Sequence, residues 1–253
     1  MRKLFILPFF LLSILSFAQQ KLEILYSSYA IINNIEDVVT IDGASPNKAE
    51  IQKAVLKNMQ EPQYSNLVIY NNESYYKKQE KLNNDQKSGG ISISINFGGS
   101  GIFYDLNNNY YWQNSELGGK EVTIKDQPES DWKLTRETKK IVGYTAKKAT
   151  RTNENGVEIT AWYTTEINLK TGPETYFGLP GLVLEVEVPF KKSKDQSDKR
   201  IITAMEVKIL DDTNPLIKPK EKSVMNRKEY EEKSKLQFEK MKEMMSQGVE
   251  TAN

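Results

Sequence analysis

The chain has 253 residues, 35 of them basic and 34 acidic; 38% are hydrophobic and none is cysteine or histidine. That balance describes a globular chain long enough to bury one substantial core. The two missing residue types exclude a Ser-His-Asp triad, a thiol nucleophile, a disulfide, a thiolate or imidazole zinc site and covalently held haem.

Arg2 and Lys3 precede an apolar run from Leu4 to Leu15, and Ser16-Phe17-Ala18 follows as a small-x-small site. The pattern predicts a secretory signal peptide over residues 1–18 and export to the periplasm, cell surface or exterior. The run is shorter than the roughly 20 residues of a membrane span, so no transmembrane segment is expected after cleavage. Losing Arg2 and Lys3 leaves 33 basic against 34 acidic side chains. Such a neutral body has no field to recruit nucleic acid.

Ser45-Pro46 and the helical spacing of Ile51, Ala54, Val55 and Met59 predict a short amphipathic helix over residues 47–60, with Ser45 as N-cap and Pro46 at the first helical position. Leu67–Tyr70 and Glu73–Lys77 flank Asn71-Asn72, a hairpin pattern because Asn tolerates positive φ. Ile91, Ile93, Ile95 and Phe97 alternate with polar residues as in a half-buried strand. Further strands are expected over 102–104, 110–112, 121–125, 145–151, 157–164, 182–188 and 201–210. The turns lie at Gly98–Gly101, Asp105–Asn109, Gly118-Gly119 and Glu154-Asn155-Gly156. Short strands joined by tight turns pair antiparallel, since a parallel crossover takes a dozen or more residues. The expected fold is mainly β, a curved antiparallel sheet or a partly open barrel or sandwich, occupying residues 19–213. Residues 214–253 read as a linker through Lys218-Pro219-Lys220 and then a polar helix over 226–247, with Asn226 and Glu229 in a capping-box relation and Tyr230, Phe238, Met241 and Met245 on one side.

The most distinctive stretch runs from Ile141 to Val188. Ile141-Val142-Gly143-Tyr144, Lys148-Ala149-Thr150, Ala161–Ile167, Gly172-Pro173 and Gly178-Leu179-Pro180-Gly181-Leu182-Val183 together resemble the GLPGLI family of exported bacterial proteins. The resemblance implies a signal peptide, a hairpin upstream such as Leu67–Tyr76, and a late Lys-Pro followed by a polar helix. Many members carry Cys shortly after the Gly-Tyr pair; here the position is Ala146, so no thiol role carries over. The resemblance brings no established activity with it.

Read as residues, Leu179-Pro180-Gly181-Leu182 matches a type II turn that aims a strand into the core; the alternative is a rim touching a ligand or partner. Trp162 and Tyr163 are adjacent on a strand, so one is expected in the core and the other exposed. The candidate binding surface is therefore Trp162, Tyr163, Gly178, Leu179, Pro180, Gly181 and Leu182. No catalytic residue, metal or cofactor is assigned. Ser-x-x-Lys recurs at Ser45, Ser74 and Ser130 without its companion motifs. Asp105 to Glu116 approaches a calcium loop, but Tyr110 stands where Gly is needed, so turn plus strand is the reading. Met241, Met244 and Met245 read as packing surface, not Cu(I) ligands. These features point to a non-catalytic binding or assembly module of the cell envelope, taking an envelope protein, lipid or glycan. The alternative is a carboxylate-dependent hydrolase of envelope glycan or peptide, drawing on acids such as Asp131, Glu166 and Glu174.

Overall fold

The computed structural model describes residues 20–34, 38, 48–79, 100–191 and 197–250. The expected signal peptide, the Ser45-Pro46 helix start and the Ile91–Phe97 strand lie outside the described residues, as do the side chains of Met241, Met244 and Met245.

Among the described residues, twelve strands and two helices follow one another as β1 (Lys21–Ile31), α1 (Lys48–Gln60), β2 (Gln63–Tyr70), β3 (Glu73–Lys78), β4 (Ser100–Asp105), β5 (Tyr110–Leu117), β6 (Lys120–Asp126), β7 (Lys133–Ile141), β8 (Tyr144–Thr152), β9 (Glu158–Thr164), β10 (Leu182–Pro189), β11 (Lys199–Leu210), β12 (Val224–Met225) and α2 (Arg227–Glu250). All strands belong to one open sheet in the order β12-β6-β5-β4-β3-β2-β1-β11-β10-β9-β8-β7. It consists of two meanders, β1 to β6 and β7 to β11, joined along the antiparallel β1–β11 ladder that runs from Lys21↔Leu210 to Ile31↔Lys199. The mainly β, curved-sheet expectation holds, with one parallel pair, β12 on β6.

The sheet curls so that its two halves face each other across a filled interior. The buried Tyr26 hydroxyl of β1 donates to the Val183 carbonyl of β10 at 2.6 Å. Residues 165–181, between β9 and β10, form the filling. Ile167, Leu169, Tyr176, Phe177 and Leu179 are all buried there. Phe177 stacks on Tyr104 of β4 at 4.3 Å between centroids, and the Thr171 and Ser74 hydroxyls share a 2.8 Å hydrogen bond. The segment also folds back on its own chain, with Leu182 N–H donating to Ile167 O and Val183 N–H to Thr171 O. An irregular segment buried this way satisfies its backbone internally.

Local chemistry explains the joints. Asn71 and Asn72 have φ of 51° and 60°, the two-residue turn that hairpin twist favours. The β8–β9 hairpin forms differently from the expected Asn155-Gly156 turn. Only Gly156 has positive φ, and the loop is organised by Asn153, whose side chain accepts from the Asn155 and Val157 N–H groups. The Asp105 turn is likewise closed by its own carboxylate, which accepts from the backbone N–H groups of Asn107 and Asn108, and β5 follows as turn plus strand. The expected type II turn at Pro180 is tighter: Gly181 N–H donates to the Leu179 carbonyl, two residues back. A Cβ on Gly181 would overlap the Thr164 carbonyl of β9, so only glycine lets these backbones approach.

α1 packs Val55 and Met59 against Ala30 of β1 in a small satellite cluster. Asn226 caps α2 by accepting from Glu229 N–H at 2.8 Å, as the capping pattern anticipates. Tyr230 docks on Ser115 of β5, but Phe238, expected on the same packed side, is exposed. The stretch before it is no free linker. Lys218 lies 3.6 Å over the Trp112 ring, Glu221 accepts from Trp112 Nε1 at 2.7 Å, and Lys222 O accepts from Thr123 N–H of β6.

Candidate functional site

The seven candidate binding residues are placed mostly in the scaffold. Leu179, Gly181 and Leu182 are buried, while Gly178 and Pro180 are exposed. Both Trp162 and Tyr163 are buried, a correction to the expectation that one would be exposed. Trp162 does point to the outer face. There Lys139 of β7 covers its ring at 4.2 Å, and its Nε1 donates to Glu187 at 3.2 Å, so a layer of paired charges roofs the indole. None of the seven lines a cavity described in the structure.

A cavity of about 480 Å³ opens instead at the end of the curled sheet where five pieces of chain converge. Tyr111 and Gln113 of β5 form one wall with Ile102 of β4. The coil from Asp126 to Glu129 forms the next. The β8–β9 hairpin gives Arg151, Asn153, Glu154, Asn155 and Ile159. The interior segment adds Glu174, Thr175 and Tyr176, and α2 closes the ring with Arg227, Lys228 and Glu231. A site between elements rather than on one loop is the common location of ligand pockets.

Its charges are mostly paired. Arg200 of β11 donates from Nη1 and Nη2 to the two Glu174 oxygens at 2.7 Å each, with the side chains only 10% and 13% exposed. Burial alone would lower the Arg200 guanidinium, but Glu174 and the Tyr176 and Tyr76 phenols raise it, so it stays charged. Arg151 of β8 pairs through Nη1 with Glu129 and lies 4.9 Å from the Trp132 ring centroid. Asp126 accepts from the Arg227 backbone N–H at 2.9 Å, and the Arg227 side chain reaches back to Gln113 and to the Tyr111 hydroxyl. Burial pushes the Tyr111 and Tyr176 phenols up. Glu231 differs from the other acids here. Burial first, then the Glu154 and Glu129 charges, push its carboxyl up against the opposing pull of Arg227.

Of the three acids singled out by sequence, Glu174 alone reaches this cavity. Glu166 accepts from Thr145 N–H on the surface, which holds its carboxyl below the ordinary value, and Asp131 is exposed. Among the described residues no cluster of three His, Cys, Asp or Glu is placed to hold a metal ion. The arrangement presents amides, phenols, carboxylates and guanidinium groups to a small volume, donors and acceptors together, as a polyhydroxylated ligand needs. Sequence reasoning missed Arg151, Glu129, Arg227 and Glu231. A lone Arg within Ala-Thr-Arg-Thr carries no sign that it will be buried.

Solved structures of PNGF-II share this fold. A structure of PNGF-II in space group C2 superposes with a TM-score of 0.52 at 19% identity, over 85% of this chain and 32% of that one. A second crystal form of PNGF-II, in space group P21, gives 0.51 at 21% identity, over 85% and 33%. The chain thus spans about a third of the length of these two PNGF-II structures. No curated protein matches the sequence. The family model described as "N-glycanase peptide, N-terminal domain" matches residues 101–232, more than half of the chain and every residue that lines the cavity; the chain belongs to that family.

Proposed function

We propose that the chain is an exported, non-catalytic glycan-binding module of the cell envelope, with the cavity between β5, the β8–β9 hairpin and α2 as its binding site. In this reading residues 1–18 are removed on export, and the chain is a GLPGLI-type protein whose signature segment builds the wall behind the site. One observation carries the proposal. The 480 Å³ cavity is lined mainly by polar groups of both hydrogen-bonding senses and two tyrosines, and it lies inside the segment matching a family named for an N-glycanase. Paired acids favour binding over chemistry: Glu174 and Glu129 are each engaged by a guanidinium, whereas hydrolysis needs one carboxyl poised as acid and another open to act as base or nucleophile. The test is an array of envelope oligosaccharides probed with the full chain. Retention that is lost in an R227A/E231A variant supports the proposal, and uniform failure to bind any glycan counts against it.

A second reading, a carboxylate-dependent hydrolase, draws on Glu231. A carboxyl raised by burial and by Glu154 and Glu129 stays protonated to higher pH, the state a general acid requires. Product release from an oligosaccharide or glycopeptide, abolished in E231Q, is the result that favours it.

A further inference from the structure

We infer that the floor of this cavity is a carboxylate site for an acidic sugar, a uronate or sialate unit of a glycan, which in the free chain is filled by the protein's own Glu129. The inference rests on the glycan-binding reading and specifies its ligand. Arg151 is the deepest cation of the cavity, with a side chain 7% exposed. Its Nε–H is buried with no hydrogen-bond partner, and unsatisfied buried donors of this kind are rare in folded proteins. Trp132 lies beside the guanidinium and Glu129 meets its Nη1 end. Once Glu129 returns to water, the guanidinium, its unpartnered Nε–H included, is left to a planar ligand carboxylate, which two of its parallel N–H groups can hold.

Glu129 is suited to leave. Its side chain is 58% exposed and it sits on the irregular stretch between β6 and β7, so its carboxylate can return to water while a ligand carboxylate takes its place. Of the remaining acids Asp126, Glu154, Glu174 and Glu231, Glu174 is held by Arg200, and Arg227 and Lys228 balance two of the other three. A sugar fits better than a peptide terminus because the walls offer Gln113, Asn153 and Asn155 amides to hydroxyls, while the aliphatic lining is confined to Ile102, Pro128 and Ile159.

The test is isothermal titration of the full chain with methyl glucuronide, with methyl glucoside as its neutral counterpart, and with acetyl-alanyl-alanine as a peptide carboxylate. Saturable binding of the glucuronide is expected, with the glucoside weaker by at least about tenfold, the loss that accompanies a missing charge-assisted hydrogen bond. E129Q removes the internal competitor and should tighten the glucuronide severalfold. R151K should weaken it at least about tenfold with an unchanged near-ultraviolet circular dichroism spectrum; if R151K does not fold, E129Q decides alone. Glucoside and glucuronide binding equally would overturn this inference and leave the glycan-binding reading standing. Tighter binding of the peptide, or glucuronide affinity unmoved by E129Q, would also overturn it. No sugar binding to wild type or E129Q would remove both.

Discussion

Arg200 and Glu174 meet through two parallel hydrogen bonds of 2.7 Å, joining β11 to the segment that fills the curled sheet. Glu174 reaches the pair from a left-handed backbone, φ 52°, a conformation uncommon for a non-glycine residue. Replacing one partner leaves the other charged, largely buried and without its counter-charge, so R200M or E174Q should each cost about 3–5 kcal/mol in denaturant unfolding. The double variant R200M/E174M should recover much of that loss, since two apolar groups leave no charge uncompensated. Single variants as stable as the wild type would show that the pair is not buried as described.

Val142 carries strain of a different kind. It forms the two-residue β7–β8 turn with Gly143 and has φ 48°, where a β-branched side chain is a genuine outlier. V142N keeps the turn and relieves the side-chain clash, and should raise stability by about 1 kcal/mol, read as a higher melting temperature. A lower melting temperature would contradict the assigned turn.

Gly181 is the opposite case. G181A places a methyl group against the Thr164 carbonyl, and the resulting overpacking should destabilise by about 1–3 kcal/mol. G143A separates the two effects: open space surrounds that position but its φ is 83°, so its cost in the same thermal melts, about 1–2 kcal/mol, comes from the left-handed backbone and not from contact.

The outer face of β9 and β10 gives a pH dependence. Burial would push the Glu187 carboxyl up, but hydrogen bonds from Lys199 and Trp162 and the charges of Lys199 and Lys139 bring it net below its ordinary 4.5. A depressed carboxyl contributes stability above the unfolded value and loses it as pH falls through the folded one. Melting temperature should therefore fall less steeply below about pH 5 in E187Q than in the wild type. Identical acid limbs in the two proteins would contradict this.

Much of the fold was legible because its signals are local. Asn71-Asn72, Asn226 with Glu229, and the spacing of Val55 and Met59 each act within a few residues. β1 and β7 were not recognised for physical reasons. β1 sits at the seam between the meanders, so its burial pattern does not alternate. β7 is a charged edge strand, where Lys and Glu stand in place of an apolar face. The burial of residues 165–181 carries no periodic signal, since the segment is irregular and satisfies its backbone within its own chain. The cavity was least legible of all. Its lining spans Ile102 to Glu231 and exists only once the sheet has curled, whereas the eye-catching Gly178–Leu182 run reflects how tightly Gly181 must pass Thr164.

The most direct measurement is a backbone and side-chain NMR titration of the full chain with envelope oligosaccharides, following protein shifts and glycan integrity in the same samples. The account predicts saturable shifts concentrated at Tyr111, Gln113, Arg151 and Tyr176, with every glycan recovered intact. Shifts gathered around Trp162 and Pro180 with the cavity unmoved, or glycan signals replaced by those of cleaved products, would contradict it.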